Sequence, residues 1–272
     1  MFLLWLACST PPVPSAAPTE DDAAEEDDGA LLEALGYVDG IEDEDESEGV
    51  VVHDRDRAWP GLNFYASRKE SRAQLLDMDG KVLHTWTGPK TTGWQHVTLL
   101  PNGDLLVLEK DRQLFRIDRD SKLLWTYRAR VHHDLDVAPD GTIWVLARKF
   151  VSRPKLHPRR TIEDYVQVLS PDGEPLRQIS VLDALADSPY AFLINDSDAL
   201  TAVAYDDTKR KPAKPFDVLH TNHIELLDGT AADKNPAFRA GNLLLNTRIT
   251  ETPFVLDPET RAIEWLWGTS AL

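Results

Sequence analysis

Short apolar or alternating runs separated by polar turns dominate the chain from about Val50 onward. Asp-Gly or Asn-Gly stands at 79–80, 102–103, 140–141, 172–173 and 228–229, each beside a β-branched or alternating run. That dipeptide tolerates the positive φ angles of a two-residue hairpin, so each occurrence predicts a pair of antiparallel strands. Few helical patterns intervene, and the expectation is an all-β domain. The runs also repeat one another. "AQLLDMDGKVLHTW", "QLFRIDRDSKLLWTY", "VQVLSPDGEPLRQI" and "PFVLDPETRAIEWLW" each read as strand, polar turn, strand, and three of the four second strands carry Trp. Alternating with them are "HVTLLPNGDLLVLE", "HHDLDVAPDGTIWVLA" and "HIELLDG…GNLLLNTR". Trp86 and Trp125 lie 39 residues apart. A four-strand unit of about 40 residues is the spacing of a β-propeller blade. Roughly four such blades are expected between residues 60 and 272. The stretch 181–215 breaks the period and reads as an insertion over one face, its basic patch at Lys209, Arg210, Lys211 and Lys214 a solvated loop.

The segment before Val50 has a different character. "MFLLWLACST" is a short apolar run ending in Leu-Ala-Cys, the form of a bacterial lipoprotein signal in which Cys8 receives the lipid. Residues 9–50 then read as an acidic disordered tether, in which "LLEALGYVDG" makes one or two helical turns at most. The expected location is extracytoplasmic, on a bacterial membrane through the lipid alone, since no run approaches the ~18 apolar residues of a membrane span. Fifteen acidic side chains lie between Glu20 and Glu48, with no Lys or Arg before residue 51. Removing that acidic block from the formal charge of −17 leaves −2 for residues 51–272. A nearly neutral domain lacks the basic footprint of nucleic-acid binding, so no nucleic-acid partner is expected. Cys8 is the only cysteine, which excludes an internal disulfide.

Chemistry concentrates at the starts of the repeated units. "DVLHTNHIELLDG" holds His220, Asn222 and His223 within four positions, and "VHHDLDV" holds His132, His133 and Asp134. On an extended strand positions i and i+2 share a face, which predicts His220 beside Asn222, and His132 beside Asp134 with His133 opposite. Innermost propeller strands line the central channel, where such groups from different blades meet. Arg248, in "LLLNTRIT", follows the next strand. Imidazoles with a guanidinium suit a tetrahedral oxyanion, the Arg stabilising charge and His moving protons. His53, His84 and His157 read as structural or surface residues, and His96 as a residue stacked near Trp94. The histidine spacings follow blades rather than ligand motifs, so neither a metal nor a cofactor is expected. A quinone-dependent dehydrogenase needs a Ca²⁺ carboxylate set that the sequence does not show.

Taken in order, "LLDMDGKVLHTW", "GWQHVTLLPNGDLLVL", "HHDLDVAPDGTIWVL", "DYVQVLSPDGEPLRQISVLDAL", "DVLHTNHIELLDG" and "GNLLLNTRITETPFVLDPETRAIEWLWG" resemble the bacterial arylsulfotransferase family over about residues 60–268. The resemblance implies a six-bladed propeller that passes a sulfuryl group from an aryl sulfate to a phenol through a sulfo-histidine, without nucleotide or cofactor. It places the family's His-x-Asn pair on His220 and Asn222, its arginine on Arg248, and a further histidine on either His132 or His133. The family's sulfuryl-carrying histidine follows the glycine matched by Gly268 and is absent from this sequence, so the 272 residues alone are expected not to turn over. The alternative expectation is a tethered propeller that binds a ligand or partner.

Overall fold

Strands form where the alternating runs stand, and the polar dipeptides turn the chain between them. The computed structural model describes residues 49–67, 70–89, 93–157, 160–195 and 215–267. Cys8, most of the acidic tether, the basic patch at 209–214 and Gly268 lie outside them. The chain divides into two units, Met1–Val52 and His53–Leu272, and every element below belongs to the second.

Among the described residues, four antiparallel sheets follow one another in sequence. The first joins β1 (Asn63–Ala66), β2 (Arg72–Leu76) and β3 (Val82–Thr87). The second joins β4 (His96–Leu99), β5 (Leu105–Glu109), β6 (Gln113–Ile117) and β7 (Leu123–Tyr127). The third joins β8 (Val131–Val137), β9 (Ile143–Val151), β10 (Thr161–Leu169) and β11 (Pro175–Ser180), with β12 (Phe216–Asp217) parallel to β10. The fourth joins β13 (Thr221–Leu226), β14 (Leu243–Thr247), β15 (Thr252–Leu256) and β16 (Ile263–Leu266). These meandering sheets are the blades of a β-propeller, and the four repeats read from the sequence are the four sheets.

The turns differ in length from the expected two-residue form. Asp77 N–H donates to Lys81 O and Gly80 N–H to Asp77 O, which leaves three residues, 78–80, in the loop. The same pattern closes 101–103, 139–141 and 171–173. In a three-residue loop the last residue takes the left-handed region as a bulge that keeps the strand twist, and the four glycines have φ of +79°, +88°, +86° and +82°. Side chains stabilise these loops locally: Asp77 accepts from Asp79 and Lys81 N–H, and Ser170 from Asp172 and Glu174 N–H. The fifth dipeptide, 228–229, is not a hairpin turn. It opens a longer connection that contains a 3-10 helix at Pro236–Phe238 and closes where Leu227 N–H donates to Asn242 O.

At Gly173 the loop also meets its neighbour. A Cβ there would stand 2.6 Å from the Trp125 ring, whose N–H donates to Pro171 O at 3.1 Å. Gly173→Ala combines that clash with a left-handed backbone, and about 1–3 kcal/mol of stability is expected to be lost. A lower urea midpoint at unchanged slope is the measurement.

Core strands are buried on both faces because each lies between two sheets. Along β5, Leu105 and Val107 pack with Ala73, Trp86 and Phe115, whereas Leu106 and Leu108 pack with Val131, Val145 and Ala147. Along β9, Ile143 and Val145 face the second sheet, and Trp144 and Leu146 face Leu243, Leu245 and Phe254 of the fourth. Side-chain alternation thus sends successive residues into different junctions. Each such side chain contributes about 1.5–3 kcal/mol by leaving water. The start of the inserted stretch joins this core. Helix α1 (Val181–Ala186) is capped by Ser180 Oγ accepting from Asp183 N–H at 3.0 Å, and it buries Val181, Leu182, Ala184 and Leu185. Helix α2 (Phe192–Asn195) follows it. Among the described residues, no helix is long and apolar enough to cross a membrane.

Candidate functional site

The first strands of three sheets, β4, β8 and β13, bring their polar residues together. His133 and His220 meet Nε2 to Nε2 at 3.2 Å, across 87 residues of sequence. Both have left-handed backbones, with φ of +60° and +51°. A non-glycine residue holds that conformation only where its surroundings impose it. Around His220 the imposing contacts are visible. Its N–H donates to Asp217 Oδ1 at 3.1 Å, its C=O accepts from Arg248 N–H at 3.2 Å, and the next amide, Thr221 N–H, donates to Asp164 Oδ2 at 2.7 Å. For His133, the side chain of Gln95 accepts its N–H at 3.1 Å.

Tautomers follow from these partners. His220 Nδ1–H donates to Asp217 Oδ2 at 2.7 Å, so its Nε2 is a bare acceptor and His133 Nε2–H donates to it. Burial first, then the neighbouring His132 and His220, hold the His133 pKa down at about 4. The Nε2–Nε2 contact therefore holds a single proton between the two rings. A histidine depressed this way disfavours the folded state once the unfolded chain protonates. Stability is full above about pH 6.5 and is expected to fall as pH drops through the window from 6.5 to about 4. His133→Gln should flatten that arm of a urea-midpoint-against-pH profile.

His132 lies behind this pair. Its ring is buried, edge-on to His133 with centroids 5.2 Å apart, and its Nε2 is 3.5 Å from Asp164 Oδ1. Both ring nitrogens of His132, Asp164 Oδ1 and the hydroxyls of Thr161 and Thr221 are buried without hydrogen-bond partners among the described residues. Asp164 thus links the buried imidazole to the His220 loop. Arg148 adds positive charge nearby. It forms a two-pronged pair with Asp111 at 2.7 and 2.5 Å, and those hydrogen bonds raise its pKa.

Further side-chain links join β8 to β13. Asp134 Oδ2 accepts from His223 Nδ1–H at 2.7 Å and from Ile224 N–H at 3.2 Å. Asp136 Oδ2 accepts from Leu226 N–H at 2.7 Å. On the other side, His96 Nδ1 stands 3.7 Å from Asp134 Oδ1, and its Nε2 is 3.1 Å from Thr98 Oγ1. Burial lowers the His96 pKa and Asp134 partly opposes this. Among the described residues, no three His, Cys, Asp or Glu side chains are arranged to hold a metal ion.

Several sequence expectations change here. The i, i+2 rule fails at both histidine segments, because the left-handed residues and register shifts at Val131/Leu135 and Thr221/His223 interrupt the extended backbone. His132 does not share a face with Asp134; it is buried, and His133 carries the contact to His220. The single strand expected through His220 is two, β12 and β13, with His220 in the break. Asn222 sits next along and accepts from Asn246 Nδ2–H at 3.3 Å. Arg248 is exposed, and its guanidinium makes no hydrogen bond or ion pair among the described residues, while its backbone clamps His220. His96 is tied to Asp134 rather than stacked on Trp94. His53, His84 and His157 have structural contacts, with Asp79, Arg119 O and the Phe216 ring. Asp217, Asp164, Gln95, Arg148 and Asp111 were not legible as site residues. Only Asp217, three positions before His220, carried a local signal.

The starts of these sheets thus bring imidazoles and carboxylates from different blades into contact. The chain belongs to the arylsulfotransferase (ASST) family, whose model matches residues 72–269. No curated protein sequence matches it. Among solved structures, a Bacteroides caccae protein of unknown function is similar at 12% identity and a TM-score of 0.45, over 77% of this chain and 57% of that one. A streptogramin B lyase is similar at 11% identity and a TM-score of 0.40, over 80% and 56%. BamB from Moraxella catarrhalis is similar at 14% identity and a TM-score of 0.26, over 44% and 46%. The chain thus spans under two thirds of each of these structures.

Proposed function

We propose that this site binds the sulfuryl group of an aryl sulfate and serves its nucleotide-independent transfer to a phenol. The contact that supports the reading is the His133–His220 pair, held by Asp217 with Nε2 atoms 3.2 Å apart. In the free protein those two nitrogens share one proton. A sulfuryl anion entering between them favours uptake of a second, and each imidazole then donates Nε2–H to a sulfuryl oxygen. Asn222, on β13 two residues after His220, and Arg248, directly after β14 with its backbone N–H on His220 O, offer further donors. As the S–O(aryl) bond breaks, negative charge grows on the sulfuryl and leaving oxygens, where fixed donors act most strongly. These residues supply charge stabilisation; the sulfuryl carrier is not assigned among them.

The test is calorimetric binding of 4-nitrophenyl sulfate with and without an adenosine nucleotide. Binding that needs no nucleotide, and that tightens as pH falls below neutral, supports the reading. A chain that does not bind the aryl sulfate overturns it.

A further inference from the structure

Next to the His133–His220 segments stands a further imidazole, His223, whose arrangement the anion site does not use. His223 Nδ1–H donates to Asp134 Oδ2 at 2.7 Å, which leaves Nε2 bare, and the side chain is 49% exposed. Joining β8 to β13 does not require this imidazole. Asp134 Oδ2 already accepts Ile224 N–H, and Asp136 accepts Leu226 N–H, so backbone amides make that connection. Half-exposed, the ring also gains little from burial. What the geometry does supply is a base, an imidazole oriented by a carboxylate with its free nitrogen toward open space. Asp134 directly follows His133 in the chain, and His223 directly follows Asn222, so the base lies one residue along from each of these residues.

We infer that His223, held by Asp134, receives the hydroxyl of the acceptor phenol and takes its proton. The inference rests on the arylsulfotransferase reading for the phenol. The O–H bond of the phenol breaks and a His223 Nε2–H bond forms. The phenolate keeps the electron pair it needs to attack sulfur, and the Asp134 carboxylate offsets the charge on the imidazolium.

The experiment uses the 272-residue chain and 4-nitrophenol, whose anion alone absorbs violet light, at a pH where the free phenol is mostly un-ionised. The wild-type chain is expected to raise the anion fraction, and ¹⁵N imidazole spectra should show His223 Nε2 gaining a proton as the phenol is added. His223→Ala should cut the induced absorbance at least about tenfold, the effect of one pKa unit. Asp134→Asn, which keeps an acceptor for Ile224 N–H, should reduce it while leaving the fold intact by circular dichroism. Wild-type absorbance in His223→Ala overturns the inference, as does a chain that binds 4-nitrophenyl sulfate yet never ionises the phenol. In both cases the anion-site reading stands. A chain that binds neither ligand overturns both.

Discussion

Replacing His220 with Ala is expected to weaken 4-nitrophenyl sulfate binding about 10- to 100-fold, the value of a hydrogen bond to a charged group. Three effects combine. The Nε2 that would donate to a sulfuryl oxygen is gone, His133 loses the partner 3.2 Å away, and Asp217 is left without the imidazole it orients. The pH dependence of binding should flatten as well, because the pair can no longer share and then gain a proton. Asp217→Asn keeps an acceptor for the backbone amide but weakens the grip on Nδ1, so an intermediate loss is expected. Wild-type affinity in His220→Ala removes the assignment.

Phe115→Ala should cost about 3–5 kcal/mol in urea unfolding, the range for emptying a buried aromatic site. Phe115 is 0% exposed, sits edge-on to Trp94 at 6.1 Å, and packs with Leu105, Val107 and Trp86 at the junction of the first two sheets. None of these neighbours can collapse easily into the void. Trp94 is wedged against Gly88, where even a Cβ would stand 2.5 Å from its ring. Leu124→Ala provides the contrast. That side chain is 45% exposed, and a change within about 0.5 kcal/mol is expected. Equal losses for the two variants would contradict the packing described.

The fold was legible where short-range rules apply. Alternating runs became strands, Asp-Gly and Asn-Gly marked four of the hairpin loops, and the repeated Trp segments were the last strands of three sheets. The site was legible only as a set of residue types at blade starts. Its geometry depends on two left-handed histidines, and alternation arguments presume the extended backbone that these residues abandon. Apart from Asp217, the carboxylates of the site lie far off in sequence: Asp134 is 89 residues from His223, and Asp164 is 57 from Thr221. No local pattern encodes such pairings. The burial of α1 was also missed, because a six-residue helix is too short to show a reliable period.

One consequence follows from β5 and β9 each packing into two junctions. Adjacent residues on one strand answer to opposite neighbours, so a volume change at Leu106 is felt by Leu105 through the backbone they share. The wheel should therefore melt as a linked series rather than blade by blade. Amide hydrogen exchange in β5 and β9 should be the slowest in the protein and should report global opening.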